Sequence, residues 1–136
     1  MRKLGIRPGH RVAVLGAPEG FARTLGALPE GAEAAGTLGA APASRPFDVV
    51  LWFGTTLEGL QGIVRDARAA MAQDGGLWIG WPKRASGIAT EVDADVVRAV
   101  ALPTGLVDNK ICAIDESWSG IRLVLRRELR SPAPGR

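Results

Sequence analysis

Phe47-Asp-Val-Val-Leu-Trp-Phe53 is apolar at every position but Asp48. A half-wet strand would alternate apolar with polar residues. A short, near-continuous run of branched and aromatic side chains instead reads as a parallel-type strand covered on both faces. Upstream, Arg11-Val-Ala-Val-Leu-Gly16 has the same character and ends at a glycine. Downstream, Leu77–Trp81 repeats it within Gly75-Gly-Leu-Trp-Ile-Gly-Trp-Pro-Lys-Arg-Ala-Ser-Gly87.

Helical spacing fills the gaps between these strands. After the first, Phe21, Leu25 and Leu28 recur at helical intervals, Pro18 and Glu19 suit a first turn, and Pro29 stops the helix. After the central strand, Thr55-Thr-Leu-Glu58 fits a capping box with Thr55 at the cap. Leu57, Leu60, Val64, Ala67 and Met71 form the stripe behind it, and Asp74-Gly75-Gly76 closes that helix. Thr90 caps a further helix with the stripe Val92, Val96 and Val100, ended by Pro103. Gly31–Pro46 is mostly Ala, Gly and Pro, with a poor strand over Ala32–Leu38.

The C-terminal part reads differently. Lys110–Ile114 is a strand and Asp115–Gly120 a tight polar turn. Ile121, Leu123 and Leu125 then alternate with Arg122, Val124 and Arg126, as an edge strand with one wet face does. Strands alternating with helices predict an α/β fold of three layers, Rossmann-like, its mostly parallel sheet finished by a C-terminal antiparallel hairpin. Residues 1–130 form one domain on this reading, and 131–136 a disordered tail.

Composition sets bounds on function. The chain has 136 residues, 46% hydrophobic and 23% charged, enough for a core without disulfides or metal. The formal net charge is +3, and much of the excess is C-terminal, where Arg126, Arg127, Arg130 and Arg136 face only Glu128. So small and scattered an excess does not support nucleic-acid binding. One cysteine and one histidine allow neither an internal disulfide nor a zinc site. No apolar run approaches a membrane span, and the opening Met1–His10 lacks the apolar stretch of a signal peptide, so a cytoplasmic protein is the default.

In an open parallel sheet, ligands bind at the carboxyl ends of the strands, near the point where strand order reverses. That rule selects the loops 16–20, 53–56 and 81–86, and the turn 115–119 if the hairpin lies beside the Trp81 strand. The candidate binding residues are Gly16, Gly20, Trp81, Lys83, Ser86, Asp115, Trp118 and Ser119. Lys83 and Arg84 suit a small anionic ligand. The plainer reading stands beside this one: every buried strand exits to water, and polar residues follow it in any loop. Trp118 either packs back on the core or covers a pocket. Asp115 and Glu116 are a possible acid or base, or simply solvated. A cis Trp81–Pro82 bond would shape the loop, but sequence does not reveal it. Cys112 reads as a packed thiol within a strand, and His10 lies at the wrong end of the sheet for catalysis.

The loop Gly16-Ala-Pro-Glu-Gly20 argues against NAD or FAD. A dinucleotide fingerprint needs a second glycine where Pro18 stands, so that the backbone can approach the pyrophosphate. Glu19 would place negative charge where phosphate should sit. Neither a Walker A sequence nor a G-x-S-x-G elbow is present.

The order of elements resembles a shortened S-adenosylmethionine-dependent methyltransferase. That resemblance implies an adenosyl cofactor held by a glycine loop at Gly16–Gly20 and by an acidic residue after the second strand. Pro18 departs from the first element, and Gly36–Ala43 offers no acid for the second. The blocks RPGHRVAVLGAPEGF (7–21), WPKRASGIATEVD (81–93) and GLVDNKICAIDESWSGIRLV (105–124) are similar to short bacterial proteins grouped as domain of unknown function 3052. This second resemblance implies fold and length and brings no activity. Three readings follow: a Rossmann-like binding protein for a small anionic or adenosyl ligand; a small enzyme with Lys83 as electrophile and Asp115 as base; or a homo-oligomeric interaction module pairing through Ile121–Arg127.

Overall fold

The computed structural model describes residues 4–39 and 46–130. The expected tail at 131–136, and part of the loop 31–46, lie outside the described residues. Among the described residues six strands form one sheet: β1 (Arg11–Leu15), β2 (Glu33–Ala35), β3 (Phe47–Phe53), β4 (Met71–Pro82), β5 (Leu106–Ala113) and β6 (Trp118–Leu125). Three α-helices connect them: α1 (Phe21–Leu25), α2 (Leu57–Ala70) and α3 (Ala94–Ala101). The strand order is β2-β1-β3-β4-β6-β5. The first four strands are parallel; β6 runs antiparallel to both β4 and β5. The α/β class, the mostly parallel sheet and the terminal antiparallel hairpin are as the sequence predicts.

Each face of the sheet carries its own core. On one, Val50, Leu77, Ile79, Ile121 and Leu123 meet Leu60, Val64 and Ala67 of α2 and Val97 of α3. On the other, Val12, Val49, Leu51, Phe53 and Trp78 meet Leu4, Ile6 and, from α1, Phe21 and Leu25. Trp78 is fully buried, and its indole N–H donates to the Leu4 carbonyl at 3.0 Å. This bond satisfies the one polar atom of the ring and fixes the N-terminal segment over the sheet.

Several boundaries fall elsewhere than the sequence predicts. Helix α1 ends at Gly26, whose φ of 73° no β-carbon favours, so Leu28 lies beyond it; Pro18 and Glu19 precede the Gly20 cap rather than form a first turn. The cap of α2 is Thr56, not Thr55: its hydroxyl accepts from the Gly59 amide at 3.1 Å. Ile63 joins the buried stripe, while Leu57 is exposed. Asp93 caps α3 by accepting from Val96 N–H, and Thr90 Oγ1 accepts from the Val92 amide one turn earlier.

Two corrections concern the sheet itself. Gly75 and Gly76 do not end α2. The chain passes from Ala70 directly into β4, which bulges: it advances from Met71 to Gly76 while β3 advances from Phe47 to Val49. The edge strand on the hairpin side is β5, not Ile121–Arg127. β6 lies between β4 and β5, so Arg122 is an interior-strand residue rather than part of a wet margin.

Candidate functional site

The order reverses between β1 and β3: the chain goes from β1 outward to β2, then returns to the far side of β1. The carboxyl ends of β1, β3 and β4 therefore open at one rim. Gly16 leaves β1 with φ 67°, and a β-carbon there would lie 2.7 Å from the Phe53 carbonyl oxygen. The first loop thus runs against the end of β3. Gly54 follows β3 and donates its amide to Gly80 O at 3.1 Å, which ties the second loop to β4.

The antiparallel register brings the remaining turn to the same place. Pro82 pairs with Trp118 and Trp81 with Ser119. The Lys83 amide donates to Ser117 O at 2.8 Å. Lys83 is half-buried and Arg84 exposed, and neither side chain has an ion-pair partner among the described residues. Ser86 is committed to its own turn, donating to Lys83 O at 2.7 Å and accepting from Ile88 N–H. Asp115 Oδ1 accepts from the Ser117 and Trp118 amides, both at 2.8 Å, and so shapes the hairpin turn.

The aromatic residues divide between the faces. Trp81 is buried, 8% exposed, in the core that packs under α2 and α3. Trp118 is half-buried on the opposite face, edge-on to Phe53 with ring centroids 5.5 Å apart; Phe53 in turn meets Phe21 at 4.7 Å. Trp118 therefore packs back on the core while one side of it stays accessible. The Trp81–Pro82 bond is trans, since no cis peptide occurs among the described residues. The structure gathers Gly16, Lys83, Ser86, Asp115, Trp118 and Ser119 at one rim, with Gly20 at the start of α1. It withdraws Trp81 into the interior.

Two rim residues escaped the sequence reading. Glu91 reaches back across the sheet end: its amide donates to Thr55 O at 2.8 Å, and its Oε1 accepts from Leu57 N–H at 3.0 Å. It completes the cap of α2 from a distance, which no local motif signals. Trp52 pairs with Leu15 in register and lies over Gly54 and Gly59, where added β-carbons would come within 2.3 and 3.0 Å of its ring. Those two glycines were the available signal. His10 Nδ1 accepts from the Arg7 amide, ahead of β1 and away from the rim. Cys112 is half-buried in β5. No group of three or more metal-ligating side chains occurs among the described residues. No described helix is long and apolar enough to cross a membrane.

Comparison of the fold with solved structures returns methyltransferases. A TehB-like SAM-dependent methyltransferase from Corynebacterium glutamicum aligns with a TM-score of 0.57 at 14% identity, covering 88% of this chain and 82% of that one. Fibrillarin from Aeropyrum pernix, solved with natively bound S-adenosyl-L-methionine, aligns at 0.59 with 15% identity, over 91% and 70%. Methanococcus jannaschii fibrillarin, a pre-rRNA processing protein, aligns at 0.63 with 10% identity, over 88% and 68%. At such identities the likeness is one of fold. No curated protein sequence matches the chain. Residues 2–127, nearly all of it, match the family described as protein of unknown function (DUF3052), and the chain belongs to that family.

Proposed function

We propose that this is a Rossmann-like ligand-binding protein related to methyltransferases, whose rim takes a small anionic molecule. The observation that carries this reading is the Lys83 side chain: half-buried, without a carboxylate partner among the described residues, on a loop bonded to the turn that presents Trp118. A cation partly removed from water and left unpaired favours an anionic visitor. The exposed side of Trp118 offers an apolar surface in the same wall.

The solved relatives make S-adenosylmethionine the natural first ligand to consider. The residues do not fit it in the mode that the fold's resemblance implies. Pro18 and the exposed Glu19 occupy the first loop, α1 is only five residues long, and no carboxylate stands in the sequence 36–43 after β2. We derive no methyl transfer for this chain. An adenosyl compound remains within the proposed class only if the Lys83 loop holds it.

Native mass spectrometry of gently purified protein, followed by thermal shifts with adenosylmethionine, adenosylhomocysteine, NAD and ATP, tests the reading. Saturation at a hundredfold excess over Kd stabilises by about 2.7 kcal/mol. The expected result is a bound mass or a shift with at least one anionic ligand, weakened roughly tenfold by Lys83→Ala with the melting temperature of the free protein unchanged. Equal binding by Lys83→Ala, or its unfolding, overturns the proposal. One observation favours a second reading, an interaction module: β5 is a sheet edge on which Ile111 is 53% exposed. Oligomer mass in the same spectrum tests it.

A further inference from the structure

The Lys83 loop and the hairpin turn meet through one residue. The Ser117 carbonyl accepts from the Lys83 amide at 2.8 Å, and the Ser117 amide donates to Asp115 Oδ1 at 2.8 Å. Two residues of opposite charge are thereby held in one wall of the rim. Both are half-buried. Neither forms an ion pair among the described residues, and none joins them to each other. Their neighbours Arg84 and Glu116 are unpaired as well, but those two are exposed and water serves them.

The turn uses only part of Asp115. Its Oδ1 takes the amides of both Ser117 and Trp118, each at 2.8 Å. Asparagine offers the same single acceptor and forms the same turn. The second oxygen, Oδ2, and the negative charge are therefore surplus to the fold. Oδ2 has no hydrogen-bond partner among the described residues, and it reaches solvent, because no buried side-chain oxygen or nitrogen there lacks a partner. The same is true of Lys83 Nζ. Partial burial strips each charge of some of its water and puts no opposite charge in its place. The two side chains could offset one another and do not.

We propose that the rim takes a small anion that also carries an ammonium group, with its anionic end on Lys83 and its ammonium on Asp115 Oδ2. This names the class of ligand for the site already proposed and rests on that reading, since Lys83 must first hold an anion. A purely anionic ligand would set a second negative charge in the wall that holds an unpaired Asp115. A ligand with both charges gives each side chain its opposite and spans the separation between them.

The test is a calorimetric titration at constant ionic strength with phosphoethanolamine and 3-aminopropyl phosphate, each beside the ethyl or propyl phosphate that lacks the amine. The parent should bind at least one of the amines roughly tenfold more tightly than its amine-free counterpart. Asp115→Asn keeps the acceptor that the turn needs and removes the charge. It should erase the preference, bind the alkyl phosphates at least as tightly as the parent, and melt at the parent's temperature. Asp115→Ala removes the acceptor too and should melt lower. Lys83→Ala should weaken all four compounds roughly tenfold. Equal binding of amine and amine-free compounds by the parent, a preference retained by Asp115→Asn, or no binding of any of the four overturns the proposal. So does an Asp115→Asn protein that melts as low as Asp115→Ala, because the charge would then belong to the turn. Binding that Lys83→Ala leaves unchanged overturns the anionic reading of the rim itself. Binding that depends on Lys83 but shows no preference for the amine overturns this inference alone.

Discussion

A methyl group at position 16 would strike the Phe53 carbonyl oxygen in a backbone conformation already strained for any side chain. The two costs fall on one atom and neither neighbour is a flexible side-chain end. Gly16→Ala should therefore destabilise the fold by about 2 kcal/mol or more, whereas Gly5→Ala, with φ 77° but open space around it, should cost about 1 kcal/mol, as left-handed strain alone does. Urea denaturation of the two variants gives the comparison. Trp78→Phe removes the donor that satisfies Leu4 O and leaves that carbonyl beneath a buried ring. We expect a loss of about 1–3 kcal/mol, read in the same experiment. Residue identity was legible where a side chain had one plausible place: Phe53, Leu60 and Trp78 could only be core. It was illegible where partners came from afar. Trp81 looked like a rim residue because Pro82, Lys83 and Arg84 follow it, yet strand alternation turns its ring to the α2 side.

At the scale of elements, strands announced themselves and caps did not. Phe47–Phe53 was readable to the residue because continuous apolarity leaves a strand no alternative register. The start of α2 slipped by one because Thr55 and Thr56 offer the same hydroxyl, and Glu58 completed a box with the wrong one. Only the distant Glu91 decides between them, by taking the Leu57 amide. Thr56→Ala and Glu91→Ala should each cost about 1 kcal/mol, while Thr55→Ala, whose backbone carbonyl alone is used, should stay within about 0.5 kcal/mol. Chemical denaturation of the three single variants checks the order. Gly75-Gly76 misled for a related reason. Paired glycines usually stop helices, but here one permits a bulge and the other leaves room for the Arg122 guanidinium. The alternation in 121–126 read as a wet edge because Arg122 and Arg126 are cationic. The structure keeps the alternation and places it inside the sheet.

For the whole molecule, the position of β6 governs what the sheet tolerates. It is hydrogen-bonded on both sides, so Leu123→Pro should remove the folded state altogether, by loss of a ladder bond and by steric clash. Ile111→Lys on the outer strand should change stability by no more than about 0.5 kcal/mol. Circular dichroism melts of the two variants distinguish this arrangement from one with β6 at the margin, which would spare Leu123→Pro. The global fold was legible because alternating strands and helices admit few topologies. The rim was legible only as loops, since which side chains remain unpaired there depends on register across β4 and β6.

The same insertion has a consequence for the order in which the protein is made. Among the described residues β5 pairs with no strand except β6, and β6 is the last of the six to leave the ribosome. Until it emerges, the growing chain carries two unpaired flanks: the open side of β4 and the whole of β5. Both gain their partner from the same strand, β6, which leaves only the outer side of β5 unpaired on that flank. Synthesis of this protein thus has a late vulnerable interval, which ends only when the last strand has covered the flank of β4 and the inner side of β5.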